Sequence, residues 1–149
     1  MDKNLDILAF GAHPDDIELG CAGTIMSHLD LGYRVGVIDL TRGELGTRGS
    51  AELRDKESEK ASLLMGINVR LNLGLKDGFF NNDEHTQLEI IKYIRKFKPK
   101  IVIANAKEDR HPDHGKASNL IKVDENGKVL EGPEDVNTAG FIIHSAVHL

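Results

Sequence analysis

Two short motifs in this sequence carry residues able to hold a metal ion and to do hydrolytic chemistry, His13-Pro14-Asp15-Asp16 and His111-Pro112-Asp113-His114. A catalytic zinc usually takes three nitrogen, oxygen or sulfur ligands from the protein and leaves a fourth position for water. His13, Asp16 and His114 supply such a set. Asp15 and Asp16 are adjacent, so one coordinates while the other turns toward the water, which makes Asp15 the natural general base. Attack of that water on a carbonyl builds a tetrahedral oxyanion. His111, protonated and held by Asp113, can donate a hydrogen bond to the oxyanion or protonate a leaving amine. The same nitrogen and oxygen donors also accommodate iron, cobalt or manganese. Alone, either motif reads as a turn or a surface histidine pair; the ligand assignment depends on the two converging.

The elements around the motifs provide for that convergence. Leu5 to Ala12 and Lys100 to Ala104 are apolar, strand-like runs, and each leads into one motif. In an open parallel sheet ligands gather beyond the carboxyl ends of the strands, so polar clusters at two such ends can meet. After the first strand, Ala22, Ile25, Met26 and Leu29 recur at helical spacing up to Gly32. Arg34 to Leu40 reads as a second strand, reached by a right-handed crossover. The stretch from Thr41 to Gly49 is rich in glycine and suits a mobile loop at a strand end. Ser50 can cap a helix ending near Met65 and Gly66, with Leu53, Ala61 and Leu64 toward the core. Asn68 to Leu73 predicts a weaker third strand, followed by a loop through Asp77, Gly78, Phe79 and Phe80. Asp83 can cap a further helix whose core stripe is Leu88, Ile91, Ile94 and Phe97, ending before Pro99. This alternation predicts an α/β fold, a Rossmann-like three-layer sandwich with a mostly parallel sheet.

Composition narrows the function classes. A chain of 149 residues fits one domain with a real core. The net charge of −5 gives no global basic field, so extended nucleic-acid binding is not expected, although local arginines could receive a small anion. The single cysteine, Cys21, cannot form an intramolecular disulfide and reads as a small buried residue of the first helix. No secretory signal and no apolar span of bilayer length is evident, so a cytoplasmic protein with no membrane partner is expected. His28, His85, His144 and His148 have no partner motif and read as surface or packing residues.

The sequence resembles the LmbE-like, or PIG-L-like, zinc-dependent N-deacetylases, which remove acetyl groups from N-acetylglucosamine units. The resemblance rests on Gly11-Ala12-His13-Pro14-Asp15-Asp16, on the glycine-rich loop leading to Arg54, and on His111-Pro112-Asp113-His114, over approximately residues 4–118. It implies zinc ligands at His13, Asp16 and His114, the base at Asp15, the catalytic histidine at His111 and a substrate-binding arginine at Arg54. Asp39 to Gly49 and Asn72 to Phe80 look most like the bacillithiol-pathway branch, which deacetylates N-acetylglucosaminyl-malate. The malate part carries two carboxylates, and guanidinium forks suit carboxylates, which would give Arg42, Arg48 and Arg110 a use.

The organisation expected is a deacetylase core over residues 1–118 and an atypical tail over 119–149, with a hairpin around Asn126-Gly127 and a last strand at Phe141-Ile142-Ile143. Relatives continue through a longer carboxyl-terminal region, so the carboxyl-terminal part reads as truncated or atypical. The expected partner is a small amino-sugar conjugate, with a homo-oligomer open. Two other classes compete. A dinucleotide-dependent oxidoreductase would need Gly-x-Gly-x-x-Gly after the first strand, where Gly-Ala-His-Pro-Asp-Asp stands instead. A truncated, inactive metal- or sugar-binding module would keep the motifs without turnover.

Overall fold

The computed structural model describes residues 4–121 and the strand Phe141–His144. Strands and helices alternate through β1 (Ile7–Gly11), α1 (Asp16–Asp30), β2 (Val35–Thr41), α2 (Ala51–Met65), β3 (Val69–Leu75), α3 (Glu84–Phe97), β4 (Ile101–Asn105), α4 (Pro112–Leu120) and β5 (Phe141–His144). The sheet order is β3-β2-β1-β4-β5 and every pairing is parallel. The chain moves outward from β1 through β2 to β3, then returns to place β4 on the other side of β1. Strand order therefore reverses at β1 and β4, and the crevice beyond their carboxyl ends is where such sheets bind ligands. His13-Pro14-Asp15-Asp16 leaves β1 and His111-Pro112-Asp113-His114 follows β4, so both motifs open into that crevice.

The period-2 alternation of strand side chains divides the core between the two faces. Leu8, Phe10, Ile38 and Leu40 pack on one face with Ile90, Ile94 and Phe97 of α3 and Ala117 and Leu120 of α4. Ile7, Ala9, Val35 and Val37 pack on the other with Ile17, Cys21 and Ile25 of α1, and Met65 of α2 joins them. Helices on both faces explain why β1 and β2 are buried along their whole length. Ser50 accepts from Leu53 N, Asp83 accepts from Thr86 N, and Gly66 closes α2 with φ at 78°, as the sequence predicts.

Several face assignments need correction. On α2, Leu53 and Leu64 are exposed rather than core-facing. The inward face of that helix is polar, because Ser58 O and Ser62 Oγ accept from the Arg70 guanidinium at 3.5 and 3.4 Å. On α3 the buried stripe is Thr86, Ile90, Ile94 and Phe97, while Leu88 is exposed; helical phase is set by the cap at Asp83 and by Ile90. Met26 of α1 is also exposed, and Ile17, Cys21 and Ile25 do the packing. Phe141 to Ile143 lies in a strand, parallel to β4. The expected hairpin around Asn126-Gly127 lies outside the described residues.

Arg70, on the edge strand β3, ties these layers together. Its Nε and Nη2 donate to the two oxygens of Asp39 at 2.8 and 3.0 Å, its Nη1 to Glu18 at 2.6 Å, and its Nη2 to Pro14 O at 2.9 Å. Burial pushes Asp39 up to about 7 against the pull of Arg70. Removing one partner of a buried pair strands the other charge, at a cost of about 3–5 kcal/mol. Arg70→Met is therefore expected to lower stability by about that amount, read as a lower urea midpoint with an unchanged slope. A loss below 1 kcal/mol would show that the network contributes little.

Candidate active site

The crevice at the ends of β1 and β4 is a cleft of about 330 Å³ lined by His13, Asp15, Asp16, Arg54, Asp77, His111, Asp113 and His114 among others. Its floor is built from backbone made rigid by side chains. Asn105, the last residue of β4, accepts from Ala12 N at 2.9 Å and donates to Asp16 Oδ2 at 3.1 Å, which fastens the β1 turn to β4. His13 N donates to the same Asp16 oxygen at 3.0 Å, and Thr41 Oγ1 donates to Ala12 O at 2.9 Å. The first turns of α1 and α4 both begin here, and helix amino termini favour negative charge.

The structure brings His13, Asp16 and His114 together. The Asp16 carboxylate lies 3.6 Å from His13 Nδ1 and 3.2 Å from His114 Nε2. The outer ring nitrogens face carboxylates: His13 Nε2 meets Asp77 at 3.0 Å and Asp113 at 3.3 Å, and His114 Nδ1 meets Asp109 at 3.0 Å. Metal-binding histidines commonly have a carboxylate at the second nitrogen, which leaves the first to present its lone pair. His13 Nε2 is hydrogen-bonded in this way, while His114 Nδ1 meets Asp109 at ion-pair distance outside hydrogen-bond alignment. Donor atoms of His13, His111 and His114 also lie within 4.8 Å of one another, as do those of His13, Asp77 and Asp113. Two facts favour Asp16 over His111 as the third ligand beside His13 and His114. Asp16 is buried and its carboxylate is fixed by Asn105 and by His13 N, whereas His111 is exposed. The donor set fits a divalent transition metal.

Ionisation follows from burial set against neighbours. Burial pushes Asp16 up, but His114 and His13 outweigh it and hold the carboxyl below the usual range. Burial pushes His114 down, yet Asp16 and then Asp109 carry it up to about 9. His13 is likewise raised by Asp16 and Asp77 against burial. Without metal the three side chains form a compact cluster in which each imidazole faces the Asp16 carboxylate. Binding a metal there displaces protons from the imidazoles.

Asp15 is the N-cap residue of α1, but its side chain makes no capping hydrogen bond and is half-exposed in the cleft, 3.1 Å from Arg54 Nη2. Arg54 reaches it from α2 by passing the glycine-rich loop, where its Nη1 donates to Gly43 O at 3.3 Å. Gly43 has φ of +64°, which favours glycine, and a Cβ there would push the Arg54 guanidinium aside. His111 caps α4, with Nδ1 accepting from Asp113 N at 3.2 Å.

The role expected of Asp113 is corrected by its contacts. Its carboxylate does not hold His111; it meets His13, accepts from Gly78 N at 2.9 Å, and pairs with Lys116 at 3.3 Å. Asp113 sits inside the first turn of α4, beyond the cap, so its side chain is directed across to the loop after β3. The other three arginines do not line the cleft. Arg42 is bound to Asp55 at 2.6 Å and faces a separate cavity of about 480 Å³ beside Arg70, while Arg48 and Arg110 are exposed. Asp77, Asn105 and Asp109 were not predicted as site residues. Asp109 had a legible signal, an aspartate two residues before His111, where it forms an Asx turn by accepting from His111 N at 2.9 Å. The other two depend on contacts between distant segments.

The fold and the site together define a parallel α/β protein with a histidine–carboxylate cluster at its topological switch point. The chain belongs to the PIG-L family, described as GlcNAc-PI de-N-acetylase, whose model matches residues 8–123. An uncharacterized deacetylase of Escherichia coli, YaiS, is 35% identical over 76% of this chain and 64% of its own. A diacetylchitobiose deacetylase of Thermococcus kodakarensis is 32% identical over 76% and 46% of the two chains. A probable N-acetyl-α-D-glucosaminyl L-malate deacetylase 2 of Bacillus anthracis is 28% identical over 76% and 56%. The crystal structure of the conserved protein TT1542 from Thermus thermophilus superposes with a TM-score of 0.74 at 43% identity, covering 78% of this chain and 53% of that one. The chain thus spans about half to two-thirds of the length of the relatives it matches.

Proposed function

We propose that this chain carries the site of a zinc-dependent N-deacetylase that hydrolyses the acetamide of an N-acetylglucosamine conjugate, probed first as N-acetylglucosaminyl-malate. The observation that carries it is the Asp16 carboxylate between two imidazole nitrogens, with Asp15 free of capping duty at the lip of the same cleft. Zinc, when bound by His13, Asp16 and His114, supplies Lewis-acid activation of water and of the amide carbonyl. Asp15 takes the proton of the attacking water as the new C–O bond forms. Arg54 holds that carboxylate in place and offers its remaining N–H groups to substrate oxygens. His111, whose Nδ1 accepts from Asp113 N, donates a hydrogen bond from Nε2 to the developing oxyanion, and Asp15 passes the proton it took from water to the nitrogen as the C–N bond breaks, leaving acetate and a free amine.

The malate assignment rests on the sequence of the loops after β2 and β3 and on the Bacillus relative. With Arg42 occupied by Asp55, Arg48 and Arg110 are the arginines left for an anionic aglycone. Charge-assisted hydrogen bonds contribute about 1.5–3 kcal/mol, so neutralising the responsible arginine is expected to lower kcat/KM for the malate conjugate about 10- to 100-fold more than for plain N-acetylglucosamine. Equal losses on both substrates in Arg48→Ala and Arg110→Ala would remove malate from the proposal. The activity itself is tested by acetate release from both substrates, and from diacetylchitobiose, by zinc-reconstituted protein. Zinc binding without acetate from any of the three would instead support a non-catalytic binding module. The expected setting is a cytoplasmic one, with a small-molecule partner; among the described residues no helix is long and apolar enough to cross a membrane.

A further inference from the structure

We propose that Asp109 is the positioning residue of the His111-Pro112-Asp113-His114 motif: it both shapes the turn that starts α4 and fixes the His114 ring so that Nε2 faces Asp16. The proposal rests on the metal site put forward above and concerns a residue outside both motifs.

The geometry is that of one carboxylate with two tasks. Asp109 Oδ1 accepts from His111 N at 2.9 Å, closing the turn before Pro112. Its Oδ2 lies 3.0 Å from His114 Nδ1, in surroundings where the two side chains are only 4% and 2% exposed. On the opposite edge of the ring, His114 Nε2 lies 3.2 Å from Asp16 Oδ1. The contact is an ion-pair approach outside hydrogen-bond alignment, and a carboxylate, which can only accept, favours a proton on Nδ1 when it lies this close to the ring nitrogen. That leaves Nε2 as the ring nitrogen able to give up its proton and present a lone pair toward Asp16. An imidazole with the opposite tautomer would direct an N–H where the metal must be. Outer-sphere partners of this kind typically matter about 10- to 100-fold in metal affinity.

Asp109→Asn separates this role from a purely structural one. Asparagine is itself a strong Asx-turn residue, so a turn-only role predicts wild-type behaviour. A positioning role predicts otherwise, because whichever way the amide rotates, its NH2 faces either His111 N–H or His114 Nδ1–H, donor against donor. Zinc affinity is measured by competition with a chromophoric chelator for the wild-type chain, Asp109→Asn and Asp109→Ala. The zinc-loaded proteins are also compared by proton NMR for an exchange-protected imidazole N–H that His114→Ala removes. Expected are affinity losses of about 10- to 100-fold in both Asp109 variants, and loss or a marked shift of that resonance. Wild-type affinity and an unmoved resonance in Asp109→Asn would overturn the proposal while leaving the metal site intact. A wild-type chain that binds no zinc would overturn the metal site and this inference with it.

Discussion

Asp15→Asn protein is expected to bind zinc as tightly as the wild-type chain and to release acetate about 10²- to 10⁴-fold more slowly, the usual span for loss of a general base. The reasoning starts from position. Asp15 is next to a ligand yet is not itself buried among the imidazoles, and its carboxylate is paired with Arg54 instead of a helix N–H. Asparagine keeps the shape and can still accept from Arg54, but it cannot take the water's proton. Since the Asp15–Arg54 pair is half-exposed on the Asp15 side, its loss costs little stability. The loss is read in kcat at saturating substrate, with zinc content measured on the same sample. A near-normal rate would transfer the base role to another residue of the cleft.

The second large effect is at Asp16. Asp16→Ala removes the carboxylate between His13 and His114 and also the acceptor for Asn105 and His13 N. Two buried imidazoles are left with a weaker donor set, and zinc affinity is expected to fall by more than the roughly 100-fold upper range seen for outer-sphere partners. Asp16→Asn retains the size and one oxygen, so its loss should be smaller than that of Asp16→Ala while still pronounced. Chelator competition reads the affinity, and far-UV circular dichroism shows whether each variant is folded. Affinity retained in a folded Asp16→Ala protein would point to the His13, His111 and His114 donors as the ligand set instead.

How much of this was legible in the sequence depended on whether a feature was local. β1 and β4 are apolar runs ending in polar motifs, and the caps at Ser50, Asp83 and Gly66 are made within a single turn, so residue type alone announces them. Helix faces were less legible. Leu53 and Leu64 look like core residues until Arg70 arrives from β3 and makes the inner face of α2 polar, and Leu88 lies out of phase with Ile90 and Ile94. The same distinction holds in the site. His13, Asp15, Asp16, His111 and His114 announce themselves by type and spacing. Asp77 gains its place only because the loop after β3 folds over β1, with its second oxygen accepting from Leu45 N at 3.0 Å. Asn105 acts only once β4 is beside β1, as an adapter between Ala12 and Asp16. Arg42 shows the converse, a residue of suitable chemistry drawn away by a neighbour on α2, Asp55.

The most direct test of a single metal centre formed by two motifs from different strand ends is anomalous diffraction at the zinc edge from crystals of the zinc-loaded protein. The predicted result is one strong peak in the cleft, about 2.0–2.2 Å from a ring nitrogen of His13, a ring nitrogen of His114 and a carboxylate oxygen of Asp16. A strong peak elsewhere, or one in the cleft bound by only one of the two motifs, would contradict it.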